Sequence, residues 1–215
     1  MMDRSAVVLV DSFNTFEQDL ATLEFNGKAL ISHIADLLSP LLDDIFVVVK
    51  TKEQAETYAE LLEPSIKCII DVNECRGPLE NALPGFEASN SKHTLLVSYN
   101  MPLLSPTVVD LLFDLCHGKT AVVPRWPNQQ IEPLHSVYHS KSALKAGQMA
   151  LEDGLFSLDA MIANLGGVRY ISTLAIQEFD AELKSFFKVN TPLDLKMAQT
   201  LSKEKPWKTR MKRRL

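Results

Sequence analysis

Carboxylate, hydroxyl and amide side chains follow three apolar runs of the chain, and they are the first candidates for chemistry. Asp11 and Ser12 come directly after Val10, Asp71 comes directly after Ile70, and Asn100 lies two positions after Ser98. Such side chains can hydrogen-bond a ligand or place charge beside it. In open α/β sheets, ligands bind beyond the carboxyl ends of the strands. The residues after these three runs are therefore predicted to line a binding site.

The apolar runs themselves predict strands that are covered on both faces, as in a parallel sheet. Strands are predicted at residues 6–10, 45–49, 66–70, 94–98, 120–123, 134–138 and 168–172. Helices are predicted at residues 30–41, 52–62, 79–88, 105–116, 141–150 and 155–165, around Ala175 and from Pro192 onward. This alternation predicts an α/β fold with a three-layer, doubly wound and mostly parallel sheet of Rossmann-like type.

Length and composition indicate one globular domain. The chain has 215 residues, of which 46% are hydrophobic and 23% are charged, which excludes a disordered chain. No apolar run is long enough to span a bilayer, and the N-terminus has no signal-peptide pattern. Cys68, Cys75 and Cys116 have no metal-binding spacing, and so sparse a set suits a reducing compartment. We therefore expect a soluble, cytoplasmic protein that does not associate with membranes.

Charge is unevenly distributed along the chain. Seven Lys and Arg residues but only one acid, Glu204, lie between Lys203 and Leu215. The rest of the chain carries 15 basic and 26 acidic residues, a formal charge of −11. An acidic body is a poor binder of nucleic acid, so a nucleic-acid partner is not expected. The basic tail either contacts an acidic surface of a protein partner or is a solvated terminus.

Four short motifs, in this order along the chain, resemble those of one enzyme family. They are Gly-Pro-Leu at 77–79, Ser-Tyr-Asn-Met-Pro at 98–102, Glu-Pro-Leu-His-Ser-Val-Tyr at 132–138 and Phe-Lys-Val-Asn-Thr-Pro-Leu-Asp-Leu at 187–195. Together they are similar to the molybdenum cofactor guanylyltransferases, MobA-like nucleotidyltransferases with a nucleotide-diphospho-sugar transferase-like fold. The resemblance predicts that residues 1–201 form a single nucleotidyltransferase-like domain and that residues 202–215 form a basic tail outside it.

The resemblance implies a reaction in molybdenum cofactor biosynthesis, in which GMP is transferred from GTP to molybdopterin with Mg²⁺ and pyrophosphate is released. It also implies the residues that bind each partner. For the nucleotide these are Val10, Asp11, Ser12, Asp19, Leu20 and Asp71; for the acceptor, Gly77, Pro78, Arg125, His135 and Asn190; for the metal, Asn100. It identifies no catalytic residue in this chain.

The chain departs from the family pattern in the loop expected to bind the triphosphate. The family has a glycine turn after its first strand, where this chain has Asp11 and Ser12, and a lysine where this chain has Leu20. No glycine occurs in the first 26 residues, and no Lys or Arg occurs between Arg4 and Lys28. Glycine lets backbone amides approach a phosphate closely, whereas carboxylates repel a triphosphate. The family's metal-binding aspartate is replaced by Asn100, a weaker magnesium ligand.

Two functions remain open from the sequence. The first is an active nucleotidyltransferase of this family. The second is an inactive relative that binds molybdopterin or a protein partner. Individual residues have structural alternatives as well: Asp71 as a strand-end cap, Asn190 as part of a helix cap, His135 as a core histidine and Arg125 as a surface cation.

Overall fold

Strand β1 (Arg4–Leu9) lies inside the main sheet and pairs with a parallel strand on each side. The computed structural model describes residues 3–10, 19–71 and 76–203. The positions Asp11, Ser12 and Cys75 and the tail from Glu204 lie outside these described residues. No helix within the described residues is long and apolar enough to cross a membrane.

The described elements alternate between strand and helix, as the sequence predicts. The other strands are β2 (Glu24–Phe25), β3 (Lys28–Ala29), β4 (Asp44–Val49), β5 (Lys67–Ile70), β6 (His93–Ser98), β7 (Ala121–Arg125), β8 (Ser136–His139) and β9 (Val168–Ser172). The helices are α1 (Leu30–Leu38), α2 (Lys52–Leu61), α3 (Pro78–Ala88), α4 (Pro106–Leu115), α5 (Ser140–Glu152), α6 (Leu158–Ala163), α7 (Thr173–Ile176) and α8 (Pro192–Lys203).

Seven strands form the main sheet in the order β5-β4-β1-β6-β8-β7-β9, while β2 and β3 form a small antiparallel hairpin. Strand β8 runs antiparallel to both of its neighbours, β6 and β7. The remaining pairs of the main sheet are parallel. The carboxyl ends of six strands therefore lie at one edge, and the sheet is mostly parallel, as predicted.

Helices cover both faces of the sheet and make three layers. On the first face, residues of α1, α4 and α8 pack against alternating side chains of β1 such as Ala6 and Val8. On the second face, residues of α3, α5 and α6 pack against Val7 and Leu9. Alternation along β1 places its odd and even side chains on opposite faces. Burial on both faces explains why the strands read as continuous apolar runs.

Two predicted helices are clearly shorter in the structure, and both differences have local causes. The helix predicted at 30–41 ends at Leu38 and continues as one 3-10 turn, Ser39–Leu41. Pro40 has no N–H for the α-helical ladder, which explains the change. The helix predicted at 155–165 is shorter and begins after Ser157, whose hydroxyl accepts from the N–H of Ala160 at 3.2 Å and caps it.

Helix α3 approaches β1 closely, and a glycine in the middle of the helix permits this. A Cβ atom built on Gly85 would lie 2.4 Å from Cγ1 and 2.6 Å from Cγ2 of Val7. Both atoms belong to a branched side chain that is fully buried in the sheet. The absence of a side chain at Gly85 therefore determines the distance between α3 and the sheet. The first turn of this helix follows Gly77.

We predict that Gly85→Ala lowers the free energy of unfolding by about 1–3 kcal/mol, because overpacking forces the helix away from the strand. In an open helix the same change would be stabilising, by about 0.5–1 kcal/mol. Urea unfolding of the wild type and the variant measures the difference. Gly166→Ala is the matched control, because a Cβ there meets nothing within 4 Å. Equal stability of Gly85→Ala and the wild type would contradict the packing argument.

Candidate functional site

The order of the strands reverses at β1 and β6, so a topological switch point lies at the carboxyl ends of these two strands. From β1 the chain moves outward to β4 and β5 and then returns to form β6 on the other side of β1. Leu9 and Ser98 are partners in the register of β1 and β6, and the N–H of Tyr99 donates to Leu9 O at 3.2 Å. Ligands of doubly wound sheets bind where the strand order reverses in this way. Val10 and the residues after Ser98 flank this point.

Asp71 lies at this edge and forms a buried ion pair. Lys50 Nζ is 2.6 Å from Asp71 Oδ2, and the side chain of Asp71 is only 2% exposed. The backbone N–H of Asp71 donates to Val49 O at 2.8 Å, which continues the pairing of β5 with β4. Asp71 is therefore an ion-paired carboxylate at the end of β5. The motif-based comparison did not identify Lys50, because the lysine lies outside every motif.

Asp19 and Leu20 form the described end of the segment aligned with the family's phosphate loop. The Asp19 carboxylate accepts from the N–H of Ala21 at 2.9 Å and caps a short 3-10 turn, Leu20–Thr22. It also accepts from the hydroxyl of Tyr58, whose pKa is raised above its ordinary value by burial and by this carboxylate. Leu20 packs in the core on the first face of the sheet. A lysine at position 20 would therefore bury its charge, which is costly.

Asn100 joins the loop after β6 to the segment before α8. Its Nδ2 donates to Oδ1 of Asn190 at 3.0 Å, and its backbone carbonyl accepts from the N–H of Val189 at 2.8 Å. The Oδ1 atom of Asn100 is buried and has no hydrogen-bond partner among the described residues. A buried acceptor without a partner is uncommon in folded proteins. The structure thus brings together two residues that the sequence separates by 90 positions.

The cap of helix α8 is made by neighbours of Asn190. The Thr191 hydroxyl accepts from the N–H of Asp194 at 3.1 Å, and the Asp194 carboxylate accepts from the N–H of Thr191 at 2.9 Å. This reciprocal pair is a capping box. The same carboxylate accepts from the backbone N–H of Asn190 at 3.1 Å. The side chain of Asn190 therefore takes no part in the cap and serves the contact with Asn100.

A buried glutamate connects the end of β7 with the chain before α8. Glu132 accepts from Trp126 Nε1 at 2.9 Å and from Lys188 Nζ at 2.9 Å. Trp126 also packs edge-on against Phe186, with ring centroids 5.5 Å apart. The predicted set of site residues omitted Glu132 and Lys188. In the sequence, the pair was indicated only by an acidic residue in one motif and a basic residue in another.

His135 is a core histidine in the described structure. It is fully buried, its ring lies 4.8 Å from that of Phe186, and neither ring nitrogen has a hydrogen-bond partner of normal geometry. Burial, with a smaller effect from the charge of Lys188, lowers the pKa of His135 to about 3. Its imidazole is therefore neutral near pH 7. It packs against Phe186 and contributes no charge to the site.

Gly77 and Pro78 form the start of α3, as predicted. A Cβ on Gly77 would lie 2.4 Å from the carbonyl oxygen of Phe156, so this position permits a close backbone contact. The same oxygen accepts from the N–H of Leu79 at 3.1 Å. Pro78 occupies the first helical position, where a missing N–H has no cost. The helix start is thus fixed against the turn before α6.

Arg125 ends β7 and stacks on an aromatic ring. Its guanidinium lies 4.8 Å from the centroid of the Tyr170 ring on the neighbouring strand β9. The contact orients the guanidinium by a cation–π interaction. Its donors remain suited to bidentate binding of a phosphate. Arg125 lies at the same edge of the sheet as Asn100, two strands further along.

The donor set for a metal ion is weak in the described part of the chain. Within residues 3–10, 19–71 and 76–203, no group of three or more His, Cys, Asp or Glu side chains is placed to hold a metal ion. Asp71 is paired with Lys50, and Asn100 offers a neutral oxygen. Magnesium sites in proteins normally include one or two carboxylates. The described residues therefore do not fit a magnesium site built from protein carboxylates.

The fold defines the class of this protein as a doubly wound, mostly parallel α/β protein. Two solved structures share the fold. Molybdopterin-guanine dinucleotide biosynthesis protein A from Archaeoglobus fulgidus matches with a TM-score of 0.76 and 24% identity, covering 92% of this chain and 98% of that one. The 4-diphosphocytidyl-2C-methyl-D-erythritol synthase from Anaerococcus prevotii matches with a TM-score of 0.69 and 12% identity, covering 94% and 96%.

The family follows from the sequence comparison. Residues 15–166 match the family described as MobA-like NTP transferase domain. A relative from Methanosarcina mazei, named "Probable molybdenum cofactor guanylyltransferase", is 33% identical over 189 residues, covering 86% of this chain and 84% of the relative. The chain belongs to the MobA-like NTP transferase family, which confirms the resemblance carried by the four motifs.

The burial of His135 predicts a pH-dependent stability. Its pKa is about 3 in the folded protein and about 6.5 in an unfolded chain. As the pH falls below 6.5, the unfolded state binds a proton that the folded state does not, so stability falls by up to about 1.4 kcal/mol per pH unit. His135→Leu should remove this part of the acid sensitivity.

Urea unfolding of the wild type and His135→Leu at pH 7 and pH 5 checks this prediction. Burial also lowers the pKa of His93, to about 4, but that contribution is common to both proteins and cancels in the comparison. Equal losses of stability in the two proteins between pH 7 and pH 5 would show that His135 is not the source.

Proposed function

We propose that the protein is a nucleotidyltransferase that binds GTP and molybdopterin and joins them in molybdenum cofactor biosynthesis. A phosphate oxygen of molybdopterin would attack the α-phosphorus of GTP. The bond from that phosphorus to the oxygen bridging to the β-phosphate would break, and pyrophosphate would leave. Positioning and charge stabilisation account for most of the catalysis in phosphoryl-type transfers. Membership of the MobA-like family motivates the proposal.

The observation that carries the proposal is the convergence of polar groups at one edge of the sheet. Asp71 follows β5, Ser98 ends β6 with a buried hydroxyl that has no described partner, and Asn100 follows with an unpartnered amide oxygen. The amide of Asn190 reaches this edge from the chain before α8. Buried polar groups without partners are costly in the free protein, and a polar ligand would satisfy them.

The two halves of the edge suit different partners. We propose that the nucleotide lies over the ends of β1, β4 and β5, beside Val10 and Asp71. The acceptor would lie over the ends of β6 and β7, where Asn100, Asn190 and the guanidinium of Arg125 are available. Gly77 and Pro78, at the start of α3, would contact the acceptor as well.

Magnesium is the metal that we propose for the reaction. The described residues do not offer a set of carboxylates for it. Magnesium is commonly held by the phosphates of a nucleotide and by water, together with few protein ligands. We therefore expect the ion to arrive bound to GTP. Asn100 Oδ1 occupies the position of the family's metal-binding aspartate and would be its protein ligand.

A second candidate function is supported by a specific observation. Leu20 is a core residue where the family has lysine, and the Asn100 amide is bonded to Asn190 where the family has a metal carboxylate. Both features favour a protein that binds molybdopterin without transferring a nucleotide. The basic residues after Lys203 would then serve contact with an acidic surface of a protein partner.

Binding and turnover measurements separate these candidates. Calorimetric titration with GTP, CTP and ATP in the presence of magnesium should give saturable GTP binding with a dissociation constant below about 1 mM. Addition of molybdopterin should then release pyrophosphate, detected by a coupled assay. Molybdopterin binding without GTP binding or pyrophosphate release would support the second candidate and overturn the first. Binding of neither ligand would overturn both.

Replacing the neutral amide at the strand end tests the metal's contribution. We predict that Asn100→Asp tightens binding of magnesium-GTP about tenfold, equivalent to about 1.4 kcal/mol, because a carboxylate binds magnesium better than an amide. The contact with Asn190 survives if that amide turns its Nδ2 toward the new carboxylate. Asn128→Asp, in an exposed turn, is the control for added charge. Equal affinity in both variants would contradict a role for position 100 in metal binding.

A further inference from the structure

Lys50 has a fixed place at the functional edge of the sheet. It directly follows β4, the strand between β1 and β5. The N–H of Val10 donates to Val48 O at 3.3 Å, so β1 and β4 remain paired at the level just before Lys50. The backbone N–H of Lys50 itself donates to Gln54 Oε1 at 3.0 Å. The pairing of β4 with β1 and the bond to the Gln54 side chain therefore hold the backbone of this lysine one strand away from the end of β1.

The side chain of Lys50 lies on the face of the sheet that carries α3. Phe46 and Val48, which alternate with it along β4, belong to the core on the second face together with Leu79 of α3. The ammonium group contacts Asp71, and the lysine side chain is 14% exposed. A charge in so sheltered a position acts more strongly on a neighbouring ligand than a fully solvated one does.

The segment after β1 supplies no cation of its own. No Lys or Arg occurs between Arg4 and Lys28, while Asp11, Glu17 and Asp19 are acidic. Lys28 belongs to the hairpin strand β3 and pairs with Asp36 of α1. Its side chain is 61% exposed. By sequence, the segment after β1 therefore offers a polyphosphate no cation, whereas Lys50 directly follows the neighbouring strand β4.

We propose that Lys50 binds the phosphate groups of the nucleotide and so replaces the cation that the loop after β1 lacks. In the free protein Asp71 holds the ammonium group at the edge of the sheet. When the nucleotide is bound, Lys50 contacts phosphate oxygens and Asp71 is shared or released. The proposal rests on the proposed function for its ligand, but the contact itself requires only a polyphosphate.

Titrations with two phosphate-bearing probes, and with guanosine as a phosphate-free control, test the proposal. Wild-type protein is titrated by calorimetry with GTP and with inorganic tripolyphosphate, each at low and moderate salt. We expect Lys50→Gln to weaken binding of both probes at least tenfold and to leave guanosine binding unchanged, because guanosine has no phosphate. Lys52→Gln is the matched control, since Lys52 is two positions away, 82% exposed and paired with Glu56. Its affinities should match those of the wild type.

Removal of Lys50 alone leaves a buried carboxylate without this partner, and such a protein is strongly destabilised. The double variant Lys50→Gln/Asp71→Asn removes both charges together and keeps two amides that can hydrogen-bond each other. It should bind tripolyphosphate as weakly as Lys50→Gln. Asp71→Asn alone should bind tripolyphosphate several-fold more tightly than the wild type, because the variant removes the carboxylate that pairs with the lysine in the described structure. A purely structural ion pair would not produce these opposite changes.

The outcomes separate the phosphate-binding role of Lys50 from the proposed function of the protein. Loss of tripolyphosphate and GTP binding in the double variant, with tighter tripolyphosphate binding in Asp71→Asn, supports Lys50 as the phosphate-binding cation. Wild-type affinity for both probes in the double variant overturns this role and leaves the proposed function in place. Binding of tripolyphosphate through Lys50 without any binding of GTP overturns the proposed function and keeps the site. Binding of neither probe by the wild type overturns both.

Discussion

Parallel pairing of β1 with β4 on one side and β6 on the other is the constraint on which the candidate site depends. It brings the ends of strands from distant parts of the chain to one edge, where the residues after each strand meet. The close approach of α3 at Gly85 then fixes the helix above that edge. Without this pairing, Asp71 and Asn100 would not lie at the same edge of the sheet.

Much of the fold could be predicted from the sequence, because double-sided burial makes each strand a continuous apolar run. All seven predicted strands of the main sheet are present. The antiparallel insertion of β8 between β6 and β7 could not be predicted, because the direction of a strand leaves no trace in its hydrophobic pattern. The hairpin of β2 and β3 was missed because two-residue strands have no periodicity.

The site was predictable only in part, and for a physical reason. The sequence singled out Asp71 by its position after a predicted strand, and Asn100 and Asn190 by their motifs. The contacts of such residues depend on packing in three dimensions. Strand order brings Lys50 to Asp71, and Asn190 contacts Asn100 across 90 positions. Glu132 likewise contacts Lys188 and Trp126. His135 was identified as a site residue from its motif, yet its complete burial makes it part of the core.

The amide contact between Asn100 and Asn190 also has a mechanical consequence. With the bond from Val189 to the carbonyl of Asn100, it fastens the segment before α8 to the strand edge at two points. Local opening of these two bonds would detach the segment before α8 from the strand edge, while core packing of Leu195 and Ala198 would still hold the helix and leave the sheet intact. Susceptibility to a protease just ahead of α8 would then report on that edge and not on global unfolding, and a ligand that bridges the two asparagines would slow the cleavage.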